Sequence, residues 1–339
     1  MPTKILITGA GGPAAIAFMR AVQGADFEFF ACDIDPYAAG LYLVPAENRA
    51  LIHRGDHPEI VNDLLGLCRK HAIDVLVPTV DSELEKVARA RDAFNAIGTK
   101  VLVASTHTLE VCLDKLALAR ACKGHVRVPH TATPAAIAVE SCPLPVIVKP
   151  RRGSGSRGIH IARTVAELEQ FTASGDVLVQ ELLPGAEYSV DVLATTDGRV
   201  VAAVPRERLK VDSGIAVTAR VVRDPELEEI AIRVAKTIRL TGVANVQLKR
   251  DAHGRPALLE VNPRFPGTMP LTVAAGVNMP LLALQNLLGA SLPERCLYKE
   301  IAVVRTWAET FIEPSELTTM ERATPAPTTS LAPKSHAAR

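Results

Sequence analysis

Between residues 244 and 267 the chain reads ANVQLKRDAHGRPALLEVNPRFPG. Two strand-like runs, VQLKR and ALLEVNPR, flank a polar His-Gly turn, which predicts a β-hairpin over 243–262. Glu260 and Asn262 stand two residues apart and so share one face. A turn centred on His253 and Gly254 places Gln247 opposite Glu260 on that face. One carboxylate and two amide oxygens are hard ligands in partial number, suited to a Mg²⁺ ion whose remaining positions go to phosphates and water. Arg264, just past Pro263, is placed to meet anionic oxygen. A hairpin with a polar solvent face is the plainer alternative. It does not explain a carboxylate set among the apolar residues of ALLEVNP, where a charge needs a partner.

A second stretch, VIVKPRRGSGSRGIHIA at 146–162, sets a glycine-rich basic loop between two strand-like runs. A phosphate loop of the Walker type runs from strand to helix and ends in GK[ST], which this one does not. Glycines between two strands describe a flap whose backbone N–H groups can close over a polyphosphate. Ser154 and Ser156 add hydroxyl donors, and Lys149 enters the flap as a point charge. The competing reading is a surface hairpin with solvated arginines. In VLVQELLPGAEYSVDV, 177–192, a strand edge can pair with a purine while Leu182 or Leu183 packs on its face, and Glu187 can accept from ribose hydroxyls. Taken alone, Glu187 reads equally as an acidic turn residue.

The elements that would position these residues fall into two grammars. Over the first hundred residues, strands at 4–8, 27–33, 74–79 and 100–104 alternate with helices at 13–23, 58–71 and 82–94. That alternation implies a parallel sheet with both faces covered. After about residue 105, a helix at 113–123 and a run of prolines lead into short strands from 145 to 222, in antiparallel order. A helix at 225–239, the hairpin, a helix at 271–288 and a last strand at 301–312 follow. Residues 314–339, rich in Pro, Thr, Ser and Ala, read as a disordered tail.

Composition narrows the function classes. Lys and Arg number 38 against 37 Asp and Glu, so no global field favours nucleic acid or an anionic membrane. Aromatic residues at 4% argue against a base-stacking surface. Six cysteines without a CxxC pair read as reduced thiols, not as a disulfide frame or a zinc site. No leader or apolar span is evident, and a cytoplasmic location is expected. The glycines of ITGAGGPA after the first strand, with Asp33 ending the second, match a dinucleotide fingerprint. A glycine turn before a helix also serves any strand-to-helix junction. An NAD-binding oxidoreductase is therefore a rival reading, though no catalytic Ser/Tyr/Lys or His/Asp set accompanies it.

In their order, LDK (113–115), VKPRRGSGSRG (148–158), QELLPGAEYSVDV (180–192), PRERL (205–209) and LLEVNPRFPG (258–267) resemble the ATP-grasp superfamily. The likeness is to its stand-alone branch, similar to one synthetase half of the carbamoyl phosphate synthase large chain. It extends over about residues 1–313. It implies an α/β and α+β chain: a Rossmann-like parallel sheet at 1–105 that does not bind NAD, then a two-subdomain ATP-grasp fold at 106–313. The flap subdomain would span about 116–180 and the metal and substrate subdomain about 181–313. Lys115 and Lys149 are then the cationic contacts to ATP phosphates, with Gly155 and Ser156 over them. Glu181 and Leu183 form the adenine hinge, and Glu187 accepts from ribose. Gln247, Glu260 and Asn262 hold Mg²⁺, or Mn²⁺ in its place. Gln247 is neutral where many relatives use a carboxylate. Arg264 steadies the transferring phosphoryl group, while Arg206 and Arg208 face substrate or the γ-phosphate. GAGGPA and the stretch 33–40 would line the substrate side, with 78–83 nearby. The implied activity is ATP-dependent joining of a carboxylate to an amine or thiol through an acylphosphate, with ADP and phosphate released. The partners implied are small molecules, not nucleic acid or membrane, and dimers are usual in that family. A non-catalytic nucleotide sensor on the same fold is the other alternative.

Overall fold

The computed structural model describes residues 1–24, 26–137, 142–153, 155, 157–173 and 175–322. Five strands form a parallel sheet: β1 (Thr3–Ile7), β2 (Phe27–Asp33), β3 (Arg49–Leu51), β4 (Val75–Val77) and β5 (Lys100–Val101), in the order β3-β2-β1-β4-β5. Its central residues, 5–7, 29–32 and 75–77, are apolar because both faces are covered. Ile5, Ile7, Val75 and Val77 enter one apolar cluster with Phe18 of the helix Pro13–Ala21. Leu6 and Leu76, pointing the other way, meet Ile60 and Leu64 of the helix Ile60–His71.

Four short strands make a second sheet, β6 (Thr131–Ala132), β7 (Val146–Pro150), β8 (His160–Ala162) and β9 (Val177–Glu181), ordered β6-β9-β7-β8 and antiparallel. It has a small core of its own, Val146, Val148, Ala162, Leu168 and Val179. The third sheet is antiparallel, with β10 (Glu187–Ala194), β11 (Val200–Asp212), β12 (Ile215–Val221), β13 (Gly242–Arg250), β14 (Pro256–Asn262) and β15 (Ala302–Val304) in the order β14-β13-β10-β11-β12-β15. Val190, Val192, Val246 and Leu248 face the helix Pro225–Thr237. Part of the opposite face packs on helices and on the parallel sheet, and part is left open and polar.

Four expectations are corrected. The helix expected at 271–288 is two helices, Met269–Ala274 and Met279–Leu287. Gly276 at φ +107 ends the first, and Asn278 caps the second by accepting from Leu281 N at 3.1 Å. The last strand pairs only over Ala302–Val304, and Trp307 and Phe311 beyond it are exposed. Residues 314–322 of the expected disordered tail form the helix Pro314–Arg322. Glu316 meets Arg49 at 2.7 Å and Met320 is buried in the largest apolar cluster. Residues 323–339 lie outside the described residues. Finally, the helix Lys115–Cys122, expected in the flap subdomain, packs through Leu118 and Cys122 under the six-stranded sheet.

Candidate active site

One face of the six-stranded sheet carries its polar residues in rows, half-buried at Glu260, Gln247 and Asn262 and buried at Ser189, Asn245, Asp191 and Arg206. On β14, β13, β10 and β11 the register sets Glu260 opposite Gln247, Gln247 opposite Ser189, and Ser189 opposite Arg206. Opposed residues share a face. Two positions along, Asn262, Asn245 and Asp191 form a parallel row. The Gln247–Glu260 pairing expected from the sequence is present, but a turn alone does not make it. Near the turn the register is Leu248 with Leu258 and Arg250 with Pro256, and it shifts between Gln247 and Leu248. Leu259 is the extra residue. This bulge lets Leu258 stay in the core while Glu260, two residues on, turns to the polar face. Asn262 Nδ2 donates to Glu260 Oε1 at 3.2 Å.

Opposite this row stand two lysines. Lys115 opens the helix Lys115–Cys122, whose cap is Asp114: its Oδ1 accepts from the amides of Leu116 and Ala117 at 3.0 and 3.1 Å. Burial works against the Asp114 charge, but hydrogen bonds from Arg151 and those amides outweigh it and hold its carboxyl below the ordinary range. Lys115 Nζ donates to the Gly153 carbonyl in the flap at 2.7 Å and lies 3.9 Å from Glu260 Oε2. Lys149 on β7 is buried, 5% exposed. Burial pushes its ammonium down to about 8, against the pull of Glu260, and the Lys115 charge adds to the depression.

Lys115, Lys149, Gln247 and Glu260 line one cleft of about 220 Å³, together with Glu181, Leu182, Leu183, Glu187, Lys249, Gly153 and Arg157, while Asn262 stands outside its lining. The flap lies against the β11–β12 turn. A Cβ on Gly214, at φ +80, would come within 3.2 Å of the Gly155 carbonyl carbon, so the close approach depends on glycine. Ser154 and Ser156 lie outside the described residues. Glu181 gives its side chain to Arg127 at 3.0 Å and to the His130 amide at 3.1 Å, so the segment it opens meets the cleft.

The three arginines singled out from the sequence go to different places. Arg208 reaches Glu187 at 3.2 Å and donates to the Gly214 carbonyl at 2.9 Å, tying the cleft wall to the flap's resting point. Arg264 forms a two-pronged pair with Asp81 at 2.6 and 3.0 Å. Arg206 is wholly buried and meets Asp191 at 2.5 Å. Its Nε and Nη1 find no partner. Buried donors left unpaired cost roughly 1–3 kcal/mol each. Sequence reasoning missed Lys249, Asp191 and Arg305. The alternation that places Gln247 and Glu187 also places Lys249 and Asp191, which share their faces. Asp191, fully buried, accepts from Arg206, from Asn245 at 2.7 Å and from Thr272 at 2.5 Å.

The glycine turn of the parallel sheet is closed by the chain itself. Asp33 accepts from the Gly11 amide at 2.8 Å through Oδ2 and from Ile34 and Asp35 through Oδ1. Gly40 presses on the Ala10 carbonyl, where a Cβ would come within 2.1 Å of the oxygen. Both oxygens that a dinucleotide ribose would use are thus engaged. Asp81 and Glu83 of the 78–83 stretch hold Arg264 and the Thr8–Thr79 strand ends, respectively.

Among the described residues no helix is long and apolar enough to cross a membrane. Residues 173–310 match the family described as ATP-grasp in the biosynthetic pathway with Ter operon, and residues 5–102 match the PylC-like N-terminal domain. Over 233 residues, 60% of this chain, the sequence is 29% identical to the carbamoyl phosphate synthase arginine-specific large chain of Bacillus subtilis (strain 168). This chain spans 22% of the length of that relative. Among solved structures, biotin carboxylase from Campylobacter jejuni in a β,γ-ATP complex superposes with a TM-score of 0.71 at 18% identity, over 86% of this chain and 72% of that one. N5-carboxyaminoimidazole synthetase from Staphylococcus aureus, complexed with ADP, gives 0.70 at 17% identity, over 88% and 82%. The resemblance to the ATP-grasp superfamily is therefore shown, and the parallel sheet followed by antiparallel sheets is the fold of those structures.

Proposed function

We propose that the protein is an ATP-dependent carboxylate–amine ligase, activating a carboxylate as an acylphosphate and releasing ADP and phosphate as an amine, or a thiol, displaces the phosphate. The observation that carries this reading is the meeting of Lys115, Lys149, Gln247 and Glu260 in one cleft beneath a glycine flap. The oxygens of Glu260, Asn262 and Gln247 on one face fit a hard divalent cation that keeps open positions. A Mg²⁺ held there would neutralise phosphate charge. The chain's own residues do the rest. Lys149 and Lys115 face the phosphates, the 181–183 backbone and Leu183 seat the adenine, and Glu187 accepts from ribose. The flap, with Ser154, Gly155 and Ser156, keeps water from an acylphosphate, a mixed anhydride that hydrolyses readily. Arg264, fixed by Asp81, is positioned to meet the phosphoryl oxygens, and Arg206 and Arg208 lie toward the substrates. In this reading residues 1–105 wall the substrate side and 106–313 carry the nucleotide. Catalysis is positioning and charge neutralisation, with no covalent enzyme nucleophile.

The test is ADP release with pairs of small carboxylates and amines. Glu260→Ala is expected to lower acceptor-dependent release by at least about a hundredfold, the scale of losing an electrostatic contact in the transition state. Unchanged turnover in that variant removes the cation assignment and the ligase reading with it.

A further inference from the structure

The row that begins at Glu260 ends at an arginine with unmet bonding capacity. Arg206 stands two strands, about 10 Å, from Gln247 on the same face. Arg305 joins that face from the sheet edge: its amide donates to the Val217 carbonyl at 2.9 Å, just beyond the Thr218–Val304 pair. Arg206 is wholly buried, with Nη2 on Asp191 and with Nε and Nη1 unpaired. Arg305 is half-buried, and one of its nitrogens holds the Gly267 carbonyl. Burial and then the Arg206 charge lower its pKa, so the two guanidiniums sense each other. Among the described residues no carboxylate pairs with Arg305, and the one on Arg206, Asp191, is already shared with Asn245 and Thr272. Arg208, the third arginine of the face, differs in having Glu187.

A wholly buried guanidinium with two free donors, beside a half-buried one with no carboxylate of its own, leaves positive charge and donors unmet. An anion cures both. The place is walled by the 265–268 loop, which packs on the start of the first helix: a Cβ on Gly267 would lie 2.7 Å from Pro13. It is therefore on the substrate side and apart from the lysines of the nucleotide cleft.

We propose that Arg206 and Arg305 form a carboxylate-binding subsite that anchors the acceptor, so that the amine substrate is one that carries its own carboxylate, an amino acid. The word acceptor rests on the ligase reading; the anion site does not.

The experiment is calorimetric and thermal-shift titration of the full chain with free L-amino acids, each against its C-terminal amide, and separately with MgADP. At least one free amino acid should bind saturably, and its amide at least about tenfold more weakly, the loss of one charge-assisted contact. Arg305→Gln should weaken the free acid by a similar factor while MgADP binds as before, and Arg305→Lys should recover part of the loss. Arg305 is chosen because replacing wholly buried Arg206 risks the fold. Equal binding of acid and amide, no binding of any free acid, or wild-type affinity in Arg305→Gln overturns the subsite. Loss of MgADP binding in wild type with amino-acid binding intact overturns the ligase reading and leaves the subsite standing.

Discussion

Lys149 shows how a single residue reports on what the cleft is built to hold. An ammonium 5% exposed and pushed down to about 8 stays charged below that pH only against a desolvation penalty, since Glu260 compensates it in part. A bound phosphate supplies the missing negative charge and raises the value again. Proton binding and nucleotide binding are therefore linked. Below about pH 8 the lysine is charged and affinity is at its plateau. As pH rises through 8 the free protein loses the proton that the complex keeps, and affinity falls by up to about tenfold per unit. Calorimetry with MgADP from pH 6.5 to 9.5 should show this bend in wild type and a flat, weaker profile in Lys149→Met. A flat wild-type profile would mean that Lys149 does not meet the phosphates.

Among the elements, the decisive ones are the β13–β14 hairpin and the flap. The hairpin was legible because period-two alternation and a polar turn are local signals. The pairing of Gln247 with Glu260 was legible only by a coincidence of two shifts: the turn lies half a residue from where the sequence put it, and the bulge at Leu259 restores the alignment. Bulges carry no reliable local signature, because they answer to packing on both faces. The partner of Arg264 and the buried Asp191 network were not legible for a related reason. Asp81 lies 183 residues from Arg264, and Thr272 lies 81 from Asp191, so these contacts exist only once the sheets are stacked. The flap's seat on the Gly214 turn is of the same kind, and it can be tested. Gly214→Ala places a Cβ 3.2–3.4 Å from the Gly155 backbone and strains a residue at φ +80, at a cost of roughly 1–2 kcal/mol. The flap should then rest less often against the turn. Hydrogen exchange of the described amides around 151–158 should quicken several-fold, and the KM for ATP should rise more than kcat falls. Unaltered exchange with normal kinetics would show that the turn does not seat the flap.

At the scale of the whole molecule, one apolar cluster joins parts that the sequence presents as separate. Ile5, Phe18 and Leu41 from the parallel sheet and its surroundings share it with Leu193, Val204 and Val221 of the six-stranded sheet and Met269 and Leu284 of the two helices between. The junction of the parallel sheet with the 264–267 segment is held by this packing, because Gly267 meets Pro13 and Arg264 meets Asp81 across it. The C-terminal segment belongs to the same cluster through Met320, 6% exposed, and is fastened at its other end by Glu316 on Arg49, whose guanidinium stacks on Tyr42 at 4.8 Å. Composition misjudged this segment because a buried methionine, a half-buried Leu317 and one ion pair dock a nine-residue helix that is otherwise mostly polar. The contribution is expected to be structural and remote from the nucleotide. Met320→Ala should lower the unfolding free energy by about 2–4 kcal/mol, the range for emptying a buried aliphatic site. Glu316→Gln should cost under about 1 kcal/mol, since that pair is partly exposed. MgADP affinity should be unchanged in both. Urea unfolding followed by far-UV circular dichroism, in parallel with MgADP titration, separates the two quantities. A Met320→Ala variant as stable as wild type would mean that the helix does not dock, while one that lost nucleotide affinity in the folded state would place the C-terminal helix in communication with the cleft.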